Sequence, residues 1–386
     1  MEPTDRNASC PICGGNRVDT VHRQDFILPG DVQTHYVVVT CYDCGFAFAR
    51  DLPGAEEYES YYRTNLRYTY EGSRGAAEAL FAIHQGSFEL VDRHLSHAKE
   101  SRILDIGCST GELLALFQRA GYTHLTGVDP TLECSEIAKR LHGVEVTTAV
   151  LSEISAEQPY DVVLLANVLE HIPNLRQAMQ RVSSVLRSGG LLFVQVPDGA
   201  HFGADFKEPF LEFSIEHVNF FTETSLANLL DELSAVEVRH DVVAHKGVSY
   251  PVITSLWRKS GGGTQRTVSD TGAIRAYVAR SNARLDELRR TIDALVAGGE
   301  PVVIWGVGSL TARFLATTNL AKANIAGFVD SNSGHHGKRL LEREIAPPSS
   351  LAGRDVTVFV SSFVYGAEIR RTLESEMRYR GRIVTI

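Results

Sequence analysis

The sequence predicts an α/β fold: two doubly wound parallel sheets preceded by a small metal-binding module. Strand-like and helix-like patterns alternate from about residue 76 to 258, and again from about 273 to the end. In each block an apolar strand runs into a glycine turn that opens a helix, I-L-D-I-G-C-S-T-G-E at 103–112 and V-V-I-W-G-V-G-S at 302–309. Two C-x-x-C pairs, Cys10/Cys13 and Cys41/Cys44, stand ahead of the first block. Regular alternation of this kind gives parallel strands covered by their crossover helices.

Length and composition set the frame. A chain of 386 residues exceeds one ordinary core. The expected divisions are a module and junction at 1–75, a first α/β domain at 76–259, a linker at 260–272 and a second α/β domain at 273–386. With 44% hydrophobic and 22% charged residues the composition is that of a globular protein. The net charge is -9 and no basic stripe stands out, which argues against nucleic acid and anionic membrane as partners. M-E-P-T-D-R-N-A-S-C has no apolar signal core, and no run of apolar residues reaches membrane-spanning length. The expected compartment is the cytoplasm, where cysteines serve as thiols or metal ligands rather than disulfides.

C-P-I-C and C-Y-D-C each suit a tight turn that aims two thiolates at one point. Two such turns make the four-sulfur shell that zinc prefers, and a site with four sulfur ligands is structural. Gly14, Gly15 and Gly45 follow the pairs, and V-Q-T-H-Y-V-V-V-T between them reads as a strand. A redox dithiol is the alternative. Beyond the module, Tyr58, Tyr61, Tyr62, Tyr68 and Tyr70 crowd one stretch, either as packing for the junction or as a pocket lid.

In the first block a helix is expected over 76–96. R-I-L-D-I-G, H-L-T-G-V-D, V-E-V-T-T, Y-D-V-V-L-L-A-N and G-L-L-F-V-Q-V read as strands, with E-L-L-A-L-F-Q-R-A, E-C-S-E-I-A-K-R-L and 175–186 as helices between them. V-E-V-R-H-D-V-V and P-V-I-T-S-L-W follow with no helix between, which predicts an antiparallel hairpin at the sheet edge. S-G-G-G-T-Q-R-T-V-S-D is a linker by composition. A helix over 273–296 places Ile274, Tyr277, Val278, Leu285, Leu288, Ile292 and Leu295 on one face, and the second alternating block follows.

The turn at 103–112 points to a nucleotide-like cofactor. Its glycines let the backbone approach a ligand, and the helix start offers free N–H groups. A dinucleotide fingerprint does not fit, because Ser109 stands where the second glycine would. Asp105, Gly107 and Gly111 instead resemble the first motif of class I S-adenosylmethionine-dependent methyltransferases. The resemblance implies that Asp105 faces the methionine end and that Asp129, closing T-G-V-D, accepts the ribose hydroxyls. A-N-V-L-E-H-I is similar to the segment that lines the methionine moiety, which implicates Asn167, Glu170 and His171. Ser109 replaces the family's middle glycine. Cys108 and Cys134 read as small buried residues.

The order of parts resembles the sugar C-methyltransferases that act on nucleotide-linked 4-keto deoxysugars: a four-cysteine zinc module, a class I methyltransferase (Rossmann-like) domain and a second Rossmann-like domain. The resemblance spans nearly the full chain. Asp330, Asn332, Lys338 and Pro347 are similar to the family's C-terminal pattern. S-I-E-H-V-N-F-F-T at 214–222 resembles its Tyr-x-Glu-His segment followed by aromatics, here Phe220 and Phe221. This implies that His217 is the base that deprotonates the carbon beside the ketone, with Glu216 orienting it, and that Tyr68 and Tyr70 hold the sugar or its phosphates. Ser214 stands in place of the family tyrosine, so the substrate pocket is expected to differ. The bland reading of Glu216–His217 is a buried hydrogen-bonded pair beside a helix start at Thr222.

Two further readings stand beside this one. Gly306 and Gly308 with Asp330 suggest a second, NAD-binding site, although Thr311 falls where the third glycine belongs. The same cofactor site also suits an O- or N-methyltransferase on a sugar or related natural-product intermediate. A vestigial, non-enzymatic site conflicts with the intact Asp105, Gly107, Gly111 and Asp129.

Overall fold

The structure is a computed structural model. It describes residues 9–52, 74–96, 98–204, 206, 208–245, 248–261 and 266–386. Tyr58, Tyr61, Tyr62, Tyr68 and Tyr70 lie outside the described residues. The chain forms two compact units. The first comprises Met1–Thr20, Val39–Ala204 and Glu216–Ile274; the second comprises Val21–Val38, Asp205–Ile215 and Arg275–Ile386.

Three N-terminal strands, β1 (Val18–Leu28), β2 (Val32–Cys41) and β3 (Ala47–Arg50), join β9 (Asn219–Phe220) in a four-stranded sheet ordered β1-β2-β3-β9. Phe46 and Phe48 are fully buried beside β3, and Phe46 stacks with Phe48 and packs on Phe221.

The α/β block of the first unit begins with α1 (Arg74–Leu95). Then follow β4 (Arg102–Ile106), α2 (Glu112–Arg119), β5 (His124–Asp129), α3 (Leu132–His142), β6 (Val146–Thr148), β7 (Tyr160–Ala166), α4 (Leu175–Val185) and β8 (Leu186–Pro197). After β9 come α5 (Glu223–Leu229), β10 (Ser234–His245) and β11 (Val248–Arg258). The seven strands are ordered β10-β11-β8-β7-β4-β5-β6. β6, β5, β4, β7 and β8 are parallel, while β11 lies antiparallel between β8 and β10. The hairpin expected from the sequence is therefore present at the sheet edge. The central strands read as continuous apolar runs because both faces are covered. Ile103, Leu114, Phe117, Val162, Leu164, Phe193 and Leu256 form the heart of the core. The strand order reverses between β4 and β7, which opens a crevice at the carboxyl ends of the strands.

In the second unit, α6 (Gly272–Gly298) buries all seven apolar positions expected of it. β12 (Val302–Trp305), α7 (Ser309–Thr317), β13 (Ile325–Val329), β14 (Arg339–Leu340), β15 (Arg343–Ala346), β16 (Thr357–Val360), α8 (Gly366–Arg371) and β17 (Ile383–Thr385) complete it. The sheet order is β14-β15-β13-β12-β16-β17, parallel except for the β14–β15 pair.

Arg313 on α7 gathers the distant segments of this unit. Its buried guanidinium donates from Nε to Gln24 Oε1 (3.1 Å), from one terminal nitrogen to Pro209 O (3.0 Å), and from the other to Phe210 O (2.9 Å) and Phe213 O (3.0 Å). Burying an arginine is tolerable only when its fork of donors is matched in this way. Among the described residues no helix is long and apolar enough to cross a membrane.

Candidate active site

The four module cysteines converge. Cys10 Sγ lies 3.7 Å from Cys44 Sγ, and Cys13 Sγ lies 3.5 Å from Cys41 Sγ. All four sulfurs fall within 4.8 Å of one another. A tetrahedron with zinc–sulfur bonds of about 2.3 Å has edges of about 3.8 Å, so the spacing fits the metal. Each pair sits on a knuckle: Gly14 N–H donates to Cys10 O and Gly45 N–H to Cys41 O. Gly45 has φ 72°, and a Cβ there would meet the Ser269 carbonyl oxygen at 2.0 Å, so only glycine fits. The Cys10–Cys44 contact holds the Cys10 thiol down at about 6 and, with burial, pushes the Cys44 thiol up.

The glycine turn between β4 and α2 carries three acids. Gly107 has φ 70°, and a Cβ on it would come within 2.7 Å of Val168 Cγ2. Ser109, at the family's middle-glycine position, has φ 49°, so the turn keeps the left-handed conformation that glycine favours. Its N–H donates to Asp129 Oδ2 (3.0 Å), and Thr131 N–H donates to Asp129 Oδ1 (2.9 Å). Burial pushes the Asp129 carboxyl up, and those two N–H bonds oppose the shift.

Asp105 closes β4 beneath this turn and is 2% exposed. Its Oδ1 is buried with no hydrogen-bond partner among the described residues. Burial pushes its carboxyl well above the usual range, and the nearby Asp129 and Glu112 push it further. An unmatched buried carboxyl next to two other acids favours its protonated form in the ligand-free chain. Glu112, at the first position of α2, is also buried. It accepts from Thr110 Oγ1 (2.5 Å) and lies 3.6 Å from His142 Nε2.

The exit from β7 meets the 216–222 stretch. Asn167 has φ 56° and donates its N–H to Gln195 O (2.9 Å). Asn219 Nδ2 donates to Leu169 O (2.7 Å) and Ile172 O (2.8 Å), and Val218 N–H donates to Glu170 O (2.8 Å). His171 Nδ1 lies 3.0 Å from Glu216 O. A carbonyl only accepts, so Nδ1 carries the hydrogen. These bonds set the His171 and His217 rings edge to face at 5.0 Å, with ligand atoms of Glu170, His171 and His217 within 4.8 Å of one another. Thr222 caps α5 through a capping box with Ser225, as the sequence suggested.

The sequence-derived residues thus fall into two groups around the β4 and β7 carboxyl ends: Asp105, Gly107, Gly111 and Asp129 in one, and Asn167, Glu170, His171, Glu216 and His217 in the other. The structure attaches Glu216 to the site through its main chain. Tyr68 and Tyr70 are not among the described residues. Ser214 belongs to the second unit, where its carbonyl accepts from Tyr36 Oη (2.9 Å). Sequence reading missed Asn219 and Glu112. Asn219 stands inside the quoted motif, but nothing local shows that its amide bonds two carbonyls some fifty residues upstream.

In the second unit the turn at Gly306–Gly308 leads into α7. Val307 N–H donates to Asp330 Oδ2 (2.8 Å). Thr311, at the third-glycine position of a dinucleotide fingerprint, is fully buried and donates to Gly306 O (2.6 Å).

Residues 82–233 match the family model described as "Methyltransferase domain". This stretch, less than half of the chain, is similar to methyltransferase domains. The chain is 34% identical over 128 residues to a ubiquinone biosynthesis O-methyltransferase of Xanthomonas euvesicatoria pv. vesicatoria, covering 31% of this chain and 52% of that protein. It is 30% identical over 128 residues to the enzyme of that name from Xylella fastidiosa (strain M23), covering 31% and 51%. The chain thus spans about half the length of the curated relatives it matches. A structure of Burkholderia thailandensis 1,6-didemethyltoxoflavin-N1-methyltransferase is 21% identical, covers 57% of this chain and 97% of that one, and superposes with a TM-score of 0.43.

Proposed function

We propose that the chain is a C-methyltransferase that methylates the carbon beside a ketone of a nucleotide-linked deoxysugar, with S-adenosylmethionine as methyl donor. The observation that carries the reading is the pinning of the His217 segment against the β7 exit by Asn219, Val218 and the Glu216 carbonyl. An imidazole held there would act as the base beside the cofactor crevice in this reading.

Bound S-adenosylmethionine supplies a methyl group on a cationic sulfonium. Asp105, Gly107, Gly111, Asp129, Asn167, Glu170 and His171 are assigned to hold it, and the unmatched Asp105 Oδ1 fits a cationic ligand. His217 takes the proton from the carbon beside the ketone. The electrons of that C–H bond pass into an enolate, whose carbon forms the new bond to the methyl group as the methyl–sulfur bond breaks and leaves its electron pair on a neutral thioether sulfur, while the carbonyl re-forms and the proton stays on His217. Glu216 steadies the charged imidazole, and Tyr68 and Tyr70 are assigned to the sugar or its phosphates. Cys10, Cys13, Cys41 and Cys44 would hold a structural zinc ion. The reaction is assigned to the cytoplasm.

O-methylation is the second reading, favoured by the names of the curated relatives. The two separate in deuterated water. With a nucleotide 4-keto deoxysugar, carbon methylation requires enzyme-dependent exchange of the proton beside the ketone, lost in His217→Ala. Methyl transfer to a hydroxyl without exchange overturns the proposal.

A further inference from the structure

Away from the cofactor turn, the first unit gathers Asp198, His201, His240 and Glu223 from three places in the chain. Asp198 follows the end of β8 and is 1% exposed. Its Oδ1 accepts from Ala200 N–H (3.0 Å), which fixes the carboxyl plane. Its Oδ2 is approached by both His201 Nδ1 and His240 Nδ1, each at 2.7 Å. The two rings stand 5.6 Å apart at 65°, so their Nδ1 atoms converge while the ring bodies diverge. On its other side His240 Nε2 lies 2.9 Å from Glu223 Oε2. Both imidazoles are partly exposed, while the Asp198 carboxylate they meet is buried.

We propose that Asp198, His201 and His240 bind a divalent zinc-like cation through one carboxylate oxygen and two Nδ1 atoms. The ligand atoms already fall within 4.8 Å of one another. Two imidazoles and one carboxylate are a borderline donor set that suits zinc, and three protein ligands leave a fourth position for water. Glu223 supports this choice. In the metal-free chain both ring nitrogens of His240 face carboxylate oxygens and donate to them; the metal would displace the Nδ1 proton while Nε2 keeps donating to Glu223, the arrangement in which an outer carboxylate sets the tautomer of a ligating histidine. Drawing the three atoms onto one ion requires only small rotations of two exposed rings. The ion would tie the loop after β8 to β10 and, through Glu223, to the start of α5. This site differs from the four-cysteine cluster in ligand type and place, so the two can be counted separately.

The test uses the full chain, first saturated with zinc and then freed of loosely held metal. Calorimetric titration with Zn²⁺ alone should show one equivalent beyond that held by the cysteines. His201→Gln and the His201→Ala/His240→Ala double variant should lose that equivalent and keep the cysteine-bound one. Glu223→Gln should weaken it about 10- to 100-fold, the usual consequence of removing an outer partner. His201 lies at the surface, so its single variant reports on the site even if the double variant folds poorly. Absence of the extra equivalent in the unmodified chain overturns the proposal, as does an equivalent that His201→Gln retains at unchanged affinity.

Discussion

Asp129 and Asp330 occupy the same joint in the two α/β units. Asp129 accepts N–H groups from the glycine turn at Ser109 (3.0 Å) and from its own turn at Thr131 (2.9 Å). Asp330 accepts the corresponding pair from Val307 (2.8 Å) and Asn332 (2.7 Å). The electrostatic surroundings differ. Burial pushes both acids up, but at Asp330 the neighbouring His335 and the N–H bonds outweigh it and hold the carboxyl low. Only the first turn adds a further acid, Asp105, with an unmatched oxygen. A cationic ligand is therefore expected at the first turn.

Asp105→Asn should lower affinity for S-adenosylmethionine about tenfold, or ~1.4 kcal/mol. It should also flatten the pH dependence of the ligand-free protein. A carboxyl raised in the folded state keeps its proton while the unfolded chain loses it, so stability falls as pH rises above the ordinary aspartate range. Calorimetry and denaturant melts across pH measure both effects. Unchanged affinity in the variant would remove Asp105 from the cofactor site.

Cys44→Ser should abolish zinc binding at the four-cysteine site, lower the melting temperature and reduce turnover, although no cysteine touches the proposed reacting groups. The path is short. The Cys44 knuckle leads through Phe46 into β3, which pairs Phe48 with Asn219, two residues from His217, and Ala47 with Phe220. Metal content and kcat measured on the same preparation test this. Full turnover in a variant that has lost the cysteine-bound equivalent would contradict it.

Asn219→Ala strips a donor from the Leu169 and Ile172 carbonyls. At about 1–3 kcal/mol for a buried acceptor left unmatched, and with Leu169 O still accepting from Ile172 N–H, a loss of roughly 1–3 kcal/mol is expected. Turnover should fall more than KM rises, because the His217 backbone loses its anchor. Urea melts and steady-state kinetics read the two effects. Asn219→Asp retains the shape without the donors and should resemble the alanine variant.

Glu208 and Glu212 are buried in the second unit, and burial pushes each carboxyl up to about 7. Arg313 opposes the shift at Glu208, while Glu208 adds to it at Glu212. Both acids are protonated in the folded and unfolded states below about pH 4.5. Between there and about 7 only the unfolded chain gives up the proton, so stability declines across that window and then levels off. Glu212→Gln should be more stable than the unmodified chain at pH 8 and equal to it near pH 4. A parallel pair of stability–pH curves would show that Glu212 is not responsible.

Local patterns carried much of this architecture. The strands of both sheets, the edge hairpin, the buried face of α6 and the four-cysteine cluster follow from apolar runs, turn residues and pair spacing. Arg313 illustrates what did not. Inside T-A-R-F-L-A it reads as a surface cation, yet tertiary packing buries it and turns it to three carbonyls of residues 209–213. The Asp198–His201–His240–Glu223 cluster was equally invisible, because β8, β10 and α5 bring its members together with no fixed sequence interval. Asp105 was legible as a motif residue, but its missing partner became visible only with every neighbour in place.

The position of β11 bears on how the domain is made and cut. β8 is buried through Leu191–Val196, and β11 covers its outer edge only after residue 258 has been synthesised. The recognised methyltransferase stretch ends at residue 233, before both strands of that hairpin. A fragment trimmed to that boundary would expose a long apolar strand with unpaired main-chain groups, a template for aggregation. During translation the same edge stays uncapped while some sixty further residues emerge, so the last hairpin completes the sheet and marks where the domain can safely be truncated.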